Sequence, residues 1–186
     1  MRIGIDCDGV LRDFIPDLVD SIKETHPEHS DKILVPESWD WDQWLPFWTN
    51  EETEKYVFED NYLDFFGVEA SPIKSSVEDW PKLKQWAKEN GHELVLVSAQ
   101  REHCKEPTDA WLDAYGFDFK EKHYTKHKWA VDVDILIDDS PEKLKDFKDK
   151  SVNNGTAVCM KHTYNTECHE DYICIDNLIE IKDKVK

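Results

Sequence analysis

The chain has 186 residues, with 41 acidic against 23 basic side chains and a formal net charge of −18 at pH 7. That length fits one domain of ordinary size, with room for a small insert and a real core. So negative a surface repels phosphate backbones and excludes long DNA or RNA as a partner, but a local positive site can still hold a small phosphorylated molecule.

Residues 2–6 read as a buried strand, followed by an amphipathic helix from Phe14 to Thr25 with Phe14, Leu18, Val19 and Ile22 on one stripe. His26-Pro27 stops that helix. From there to about Ile73 the composition changes, and Trp39, Trp41, Trp44, Phe47, Trp48, Tyr56, Phe58, Tyr62, Phe65 and Phe66 crowd a stretch with no clear strand. An inserted, mainly helical cap over residues 27–73 is expected, between two parts of a core formed by 1–26 and 74–186.

The core pattern then resumes with a helix over Val77–Glu89 ended by Gly91, and a second buried strand over Glu93–Val97 ending at Ser98. A helix over Pro107–Tyr115 is closed by Gly116, and a weak strand follows near Lys120–Tyr124. Asp134–Ile137 is a further strand, and Pro141 opens a helix to about Lys148. Thr156–Met160 and Tyr172–Ile175 read as final strands before a last helix from Asn177. This alternation predicts an α/β, Rossmann-like fold with a mostly parallel sheet flanked by helices. No run of about 18 apolar residues is present, so no membrane span is expected, and the immediate first strand predicts no signal peptide. Cysteines 7, 104, 159, 168 and 174 are odd in number and lack paired spacing, which fits reduced thiols in a cytoplasm.

Chemistry is concentrated at strand ends. The first strand runs into Asp6-Cys7-Asp8-Gly9-Val10, and Asp138-Asp139 end the strand at 134–137. Aspartate is a weak strand former, and like charges held close raise the free energy unless something positive lies between them. A hard divalent cation such as Mg²⁺, which prefers oxygen ligands, meets that need. Asp6, first after its strand, is placed to attack a phosphoryl group as a nucleophile. Asp8 can protonate the leaving oxygen and later activate a water, with Gly9 permitting the sharp turn that faces both carboxylates to one point. Ser98, with nearby backbone N–H groups, suits phosphate oxygens. Lys128 supplies a positive charge, with Lys126 as the competing lysine, and Asp138 and Asp139 complete a Mg²⁺ site. A zinc site from His162, Cys159, Cys168 and His169 fits no standard spacing.

These motifs, in this order and with the insert between the first two, resemble the four motifs of the haloacid dehalogenase superfamily of phosphatases. Within it the chain is most similar to the 5′(3′)-deoxyribonucleotidases. That narrower likeness rests on Asp6 to Phe14, on Phe65-Phe66 to Pro72-Ile73, and on Lys128 to Asp139. The resemblance implies a Mg²⁺-dependent phosphatase acting on a nucleoside monophosphate through an aspartyl-phosphate, with Asp6 as nucleophile and Asp8 as acid/base. It implies metal ligation by Asp6, the Asp8 main-chain carbonyl, Asp138 and Asp139, and substrate contacts from Phe14, Ser98, Ala99 and Lys128. A homodimer is implied by resemblance alone. The chain departs from the pattern where Ala99-Gln100 follow Ser98, since those nucleotidases usually carry two adjacent hydroxyl residues there. Trp39-Asp40-Trp41-Asp42-Gln43-Trp44 has no aligned counterpart. Rival readings are a phosphatase for a sugar phosphate, a non-catalytic acidic binding protein, and a 3′-phosphatase on polynucleotide ends, which would need a basic groove.

Overall fold

The computed structural model describes residues 1–185. Its centre is one sheet of six parallel strands: β1 (Arg2–Ile5), β2 (Glu93–Ser98), β3 (Lys122–Tyr124), β4 (Ile135–Asp138), β5 (Thr156–Met160) and β6 (Ile173–Ile175). The strand order is β3-β2-β1-β4-β5-β6.

The apolar runs make these strands because both faces of the sheet are covered. Ile3, Ile5, Leu96, Ile135 and Ile137 enter one apolar cluster, whereas Val95, Val97 and Leu136 enter another on the opposite face. Alternation of side chains along each strand produces that division. Helices α1 (Phe14–Thr25), α2 (Asn50–Lys55), α3 (Tyr62–Phe66), α4 (Lys74–Glu89), α5 (Lys105–Ala114), α6 (Pro141–Lys150) and α7 (Ile181–Lys184) complete the regular elements.

Between α1 and α4 the chain forms no named strand. It runs through 3₁₀ turns at Pro27–Lys32 and Trp41–Gln43, then α2, a π turn at Tyr56–Asp60 and α3. Thr49 and Glu52 cap α2 reciprocally, satisfying backbone donors at its first turn. The aromatic side chains of this segment pack on α1: Phe14, Leu18 and Ile22 share one cluster with Trp44, Tyr56, Phe65 and Phe66.

The main differences from the sequence reading concern α4, α5 and the C-terminal helix. Helix α4 begins at Lys74 rather than Val77. Helix α5 begins at Lys105, because Pro107 then lies in its first turn, where the missing N–H has no intrahelical partner to lose. After Asn177 the chain makes a 3₁₀ turn at Leu178–Glu180 and the four-residue α7 instead of one continuous helix. All five cysteines are free thiols, and no described helix is long and apolar enough to cross a membrane.

Strand order reverses between β2 and β4 on either side of β1. In open parallel sheets, a ligand crevice forms at the carboxyl ends of the strands flanking such a switch point. Asp6 and Asp138-Asp139 stand at those two ends.

Candidate active site

The Asp6 main-chain N–H continues the β1–β4 pairing by donating to the Ile137 carbonyl at 3.0 Å, which fixes the residue at the sheet edge. Lys128, in a 3₁₀ turn at Lys128–Ala130, reaches the same place. Its Nζ lies 2.6 Å from Asp6 Oδ2 and 2.6 Å from Asp138 Oδ2. All three side chains are buried, whereas Lys126 is exposed and makes no claim on the cluster.

The remaining oxygens of this pair are also engaged. Cys7 N–H donates to Asp6 Oδ1 at 2.7 Å, and Ser140 N–H donates to Asp138 Oδ1 at 2.9 Å. Burial pushes the Asp6 carboxyl up to about 7; Lys128 opposes the rise, and Asp138 and Asp8 add to it. Burial also acts against the Lys128 charge, but Asp138 and Asp6 outweigh it and hold the ammonium above its usual range.

Asp139 is held differently. Tyr164 donates its hydroxyl to Oδ2 at 2.7 Å, while Oδ1 is buried with no hydrogen-bond partner. Burial, then repulsion from Asp138 and Asp6, raises this carboxyl well above the ordinary aspartate range. Its main-chain carbonyl accepts from Asn165 Nδ2 at 2.8 Å and Trp39 Nε1 at 3.1 Å.

Gly9 makes this crowding possible. Its φ of +71° is in the left-handed region, and a Cβ there would sit 1.7 Å from Asp139 Oδ2. The Gly9 carbonyl accepts from His162 Nε2 at 2.6 Å, and burial holds that imidazole below its usual pKa. His162 therefore points a proton at the backbone rather than a lone pair at a metal.

Asp8, partly buried, is gripped from two sides. Arg12 Nε donates to Oδ1 at 2.7 Å and Gln100 Nε2 donates to Oδ2 at 2.5 Å. The Gln100 amide N–H also lies 3.4 Å from Ser98 Oγ at the end of β2. Ser98 is buried, and Ala99 beside it is partly exposed. Phe14 is buried in the aromatic cluster, with ring centroids 6.4 Å from Trp41 and 6.1 Å from Phe66. A cavity of about 300 Å³ is lined by Asp13, Ile15, Pro16, His162 and Tyr164 among others, and by none of Asp6–Gly9.

Three carboxylates with one lysine leave an excess of negative charge in a buried volume. Asp6, Asp138 and Asp139 each offer an oxygen within 4.8 Å of the others, the one cluster of this kind among the described residues. The bare Oδ1 of Asp139 is the further sign of fit, since an unpartnered buried carboxylate oxygen is costly without a cation. Oxygen-only ligation of this kind suits a hard divalent ion.

Sequence reasoning assembled Asp6, Asp138, Asp139 and Lys128, and missed the groups that orient them. Arg12 and Gln100 stand in or beside quoted motifs, so their position was the available signal. Tyr164 and Asn165 carried none, and Trp39 stood out only as one of the aromatic residues between α1 and α4.

Known proteins match both the fold and the sequence. A haloacid dehalogenase-like hydrolase from Streptococcus pneumoniae superposes with a TM-score of 0.64 at 12% identity, over 99% of this chain and 98% of that one. A structure described as a "predicted phosphoglycolate phosphatase" from Haemophilus somnus superposes at 0.60 with 17% identity, over 99% and 97%. The architecture is thus that of the haloacid dehalogenase-type phosphatases. The profile of the family described as "5′ nucleotidase, deoxy (Pyrimidine), cytosolic type C protein" matches residues 1–185, and the chain belongs to that family of phosphoric monoester hydrolases. A "Putative 5′(3′)-deoxyribonucleotidase" from Chlorobaculum tepidum is 24% identical over 90% of this chain and 82% of its own length. A protein of the same description from Acanthamoeba polyphaga mimivirus is 25% identical, over 86% and 69%.

Proposed function

We propose that the chain hydrolyses deoxyribonucleoside monophosphates by carrying the phosphoryl group transiently on Asp6. The observation that carries this reading is the pair of 2.6 Å contacts setting one lysine between Asp6 and Asp138, at the ends of adjacent strands. A nucleophilic carboxylate and a phosphate are both anionic, so their approach needs such a fixed cation. Support for a deoxyribonucleotide comes from the family description and from the printed names of the two relatives.

Asp6, Asp138 and Asp139, with the Asp8 main-chain carbonyl, would hold Mg²⁺, which would neutralise phosphoryl charge when bound. Asp6 attacks phosphorus as the ester oxygen departs, and Asp8 gives that oxygen its proton. The resulting Asp8 carboxylate then takes a proton from water, whose oxygen displaces Asp6 and releases phosphate. Lys128, Ser98 and Ala99 hold the phosphoryl oxygens throughout. Phe14 and one or two aromatic side chains of the insert face the nucleoside. In this reading residues 27–73 cap a catalytic unit formed by 1–26 and 74–186.

The test is phosphate release from 5′ and 3′ ribo- and deoxyribonucleoside monophosphates and sugar phosphates, with Mg²⁺ or with a chelator. Mg²⁺-dependent release from deoxyribonucleotides, abolished in a folded Asp6→Asn variant, is expected. Turnover by Asp6→Asn overturns the nucleophile, and release from sugar phosphates alone overturns the substrate class.

A further inference from the structure

Gln100 is the group that the reaction as described leaves unused. It is 8% exposed, it follows Ser98 by two residues, and its amide is divided between two situations. Nε2 donates to Asp8 Oδ2 at 2.5 Å and lies 3.4 Å from Ser98 Oγ. Oε1, on the same amide, is buried with no partner. A buried amide oxygen left bare forfeits a hydrogen bond and calls for a donor.

The orientation of that amide is set by the charge on Asp8. Reversing it would press Oε1 against a carboxylate oxygen, which is repulsive whenever Asp8 is ionised. Arg12 Nε donates to the other oxygen at 2.7 Å. Gln100 Nε2 and Arg12 Nε thus each occupy one oxygen of Asp8 and fix the plane of its carboxyl group.

A water poised between Asp8 and the phosphorylated Asp6 has two hydrogens, and Asp8 can take only one. The other stays on the oxygen, and an acceptor close to Asp8 would orient it. We propose that Gln100 is a catalytic residue of the hydrolytic half-reaction, its free Oε1 accepting the second hydrogen of the attacking water while its N–H holds Asp8. In that step the water oxygen bonds to phosphorus and the bond from phosphorus to the Asp6 oxygen breaks, its electron pair returning to the Asp6 carboxylate. One proton passes to Asp8, and the other leaves on the phosphate, hydrogen-bonded to Gln100. This assignment rests on the aspartyl-phosphate reading above and gives the Ala99-Gln100 departure a use: an amide beside Asp8.

The experiment uses p-nitrophenyl phosphate, whose nitrophenolate departs without a proton, so that Asp8 matters only in the second half-reaction. Two variants are compared with the native chain in Mg²⁺: Gln100→Met, of matched length without the amide, and Gln100→Asn, which withdraws both polar groups by one methylene. Each is expected to release a burst of nitrophenolate near one equivalent, then turn over about 10²-fold more slowly. kcat and KM should fall together with kcat/KM unchanged, because kcat/KM ends at release of the alcohol. Acid-quenched samples should show phosphoenzyme on Asp6 by intact mass.

A fall in kcat/KM without burst or phosphoenzyme would overturn the assignment and leave Gln100 a structural partner of Asp8. Unchanged turnover by both variants would overturn it as well. Turnover by Asp6→Asn would instead sink the proposed function and this step with it.

Discussion

The indole N–H of Trp39 donates to the main-chain carbonyl of Asp139 at 3.1 Å, joining the aromatic insert to the end of β4. The same indole meets the Tyr164 ring edge-on, with centroids 5.5 Å apart, and Tyr164 in turn holds Asp139 Oδ2. Asp139 is thus oriented partly by a segment 100 residues earlier in the chain. Groups that orient a metal ligand commonly affect metal affinity by about 10–100-fold. Trp39→Phe keeps the ring and removes the donor, and calorimetric Mg²⁺ titration should show affinity weakened about 10-fold. Native affinity in this variant would mean that Asn165 alone fixes the carbonyl.

The acid cluster also predicts how the metal-free protein responds to pH. The folded-state pKa values of Asp6 and Asp139 are both raised, Asp6 to about 7, so between about pH 4 and 7 these two groups bind more protons folded than unfolded and outnumber His162, whose lowered pKa acts the other way. Stability in chelator therefore falls as pH rises through that window and is greatest on its acid side. Mg²⁺, which binds the ionised carboxylates, should offset the loss at pH 8. Thermal unfolding at pH 6 and pH 8, in chelator and in Mg²⁺, checks the sign. A metal-free chain that is more stable at pH 8 would contradict the raised carboxyl groups. In a chain of this size, each kcal/mol moves Tm by about 2–4 °C.

Strands β1 and β4 were legible because a short apolar run closed by paired acids has few other readings. The same pattern brought Asp6, Asp138 and Asp139 to one edge before any contact was known. Spacing alone left Lys126 in competition with Lys128, and burial separates them. The stripe on α1 read correctly as amphipathic, but periodicity does not say what the stripe meets, and it meets the insert's aromatic side chains. Arg12 lies inside the first motif, where its charge argues for a solvated position; Asp8 and two aromatic faces take the place of that water. Tyr164 and Asn165 follow Asp139 by 25 and 26 residues, and only the return of the chain after β5 brings them back.

Arg12 carries a structural prediction. Its guanidinium is fully buried, 4.9 Å from the Phe66 ring centroid and 5.1 Å from that of Trp111. Besides holding Asp8 it donates to the Phe66 carbonyl at 3.3 Å and lies 3.5 Å from Thr108 Oγ1. Arg12→Ala removes the planar fork that serves all three, leaving a void and an Asp8 carboxylate without its cation. A loss of about 3 kcal/mol is expected, measured by denaturant unfolding. Arg12→Lys should recover only part of it, because one ammonium cannot reproduce the fork or its stacking. Full recovery by lysine would reduce the role of Arg12 to its charge.

Gly9 provides a test that separates the site from the fold. A left-handed φ raises the energy of an alanine by about 1 kcal/mol, a modest loss for a domain of this size. The local consequence is larger: at 1.7 Å from Asp139 Oδ2, an added Cβ must displace the carboxylate and break its bond from Tyr164. Gly9→Ala should therefore unfold cooperatively with Tm lowered by a few degrees, about 2–4 °C per kcal/mol. Calorimetry on the same folded sample should find Mg²⁺ binding reduced at least 10-fold, in line with the effect of disturbing a ligand's support. Native Mg²⁺ affinity in that sample would remove Asp139 from the metal cluster as drawn. Loss of cooperative unfolding would show that the tight Gly9–Asp139 contact holds the strand ends together as well as shaping the site.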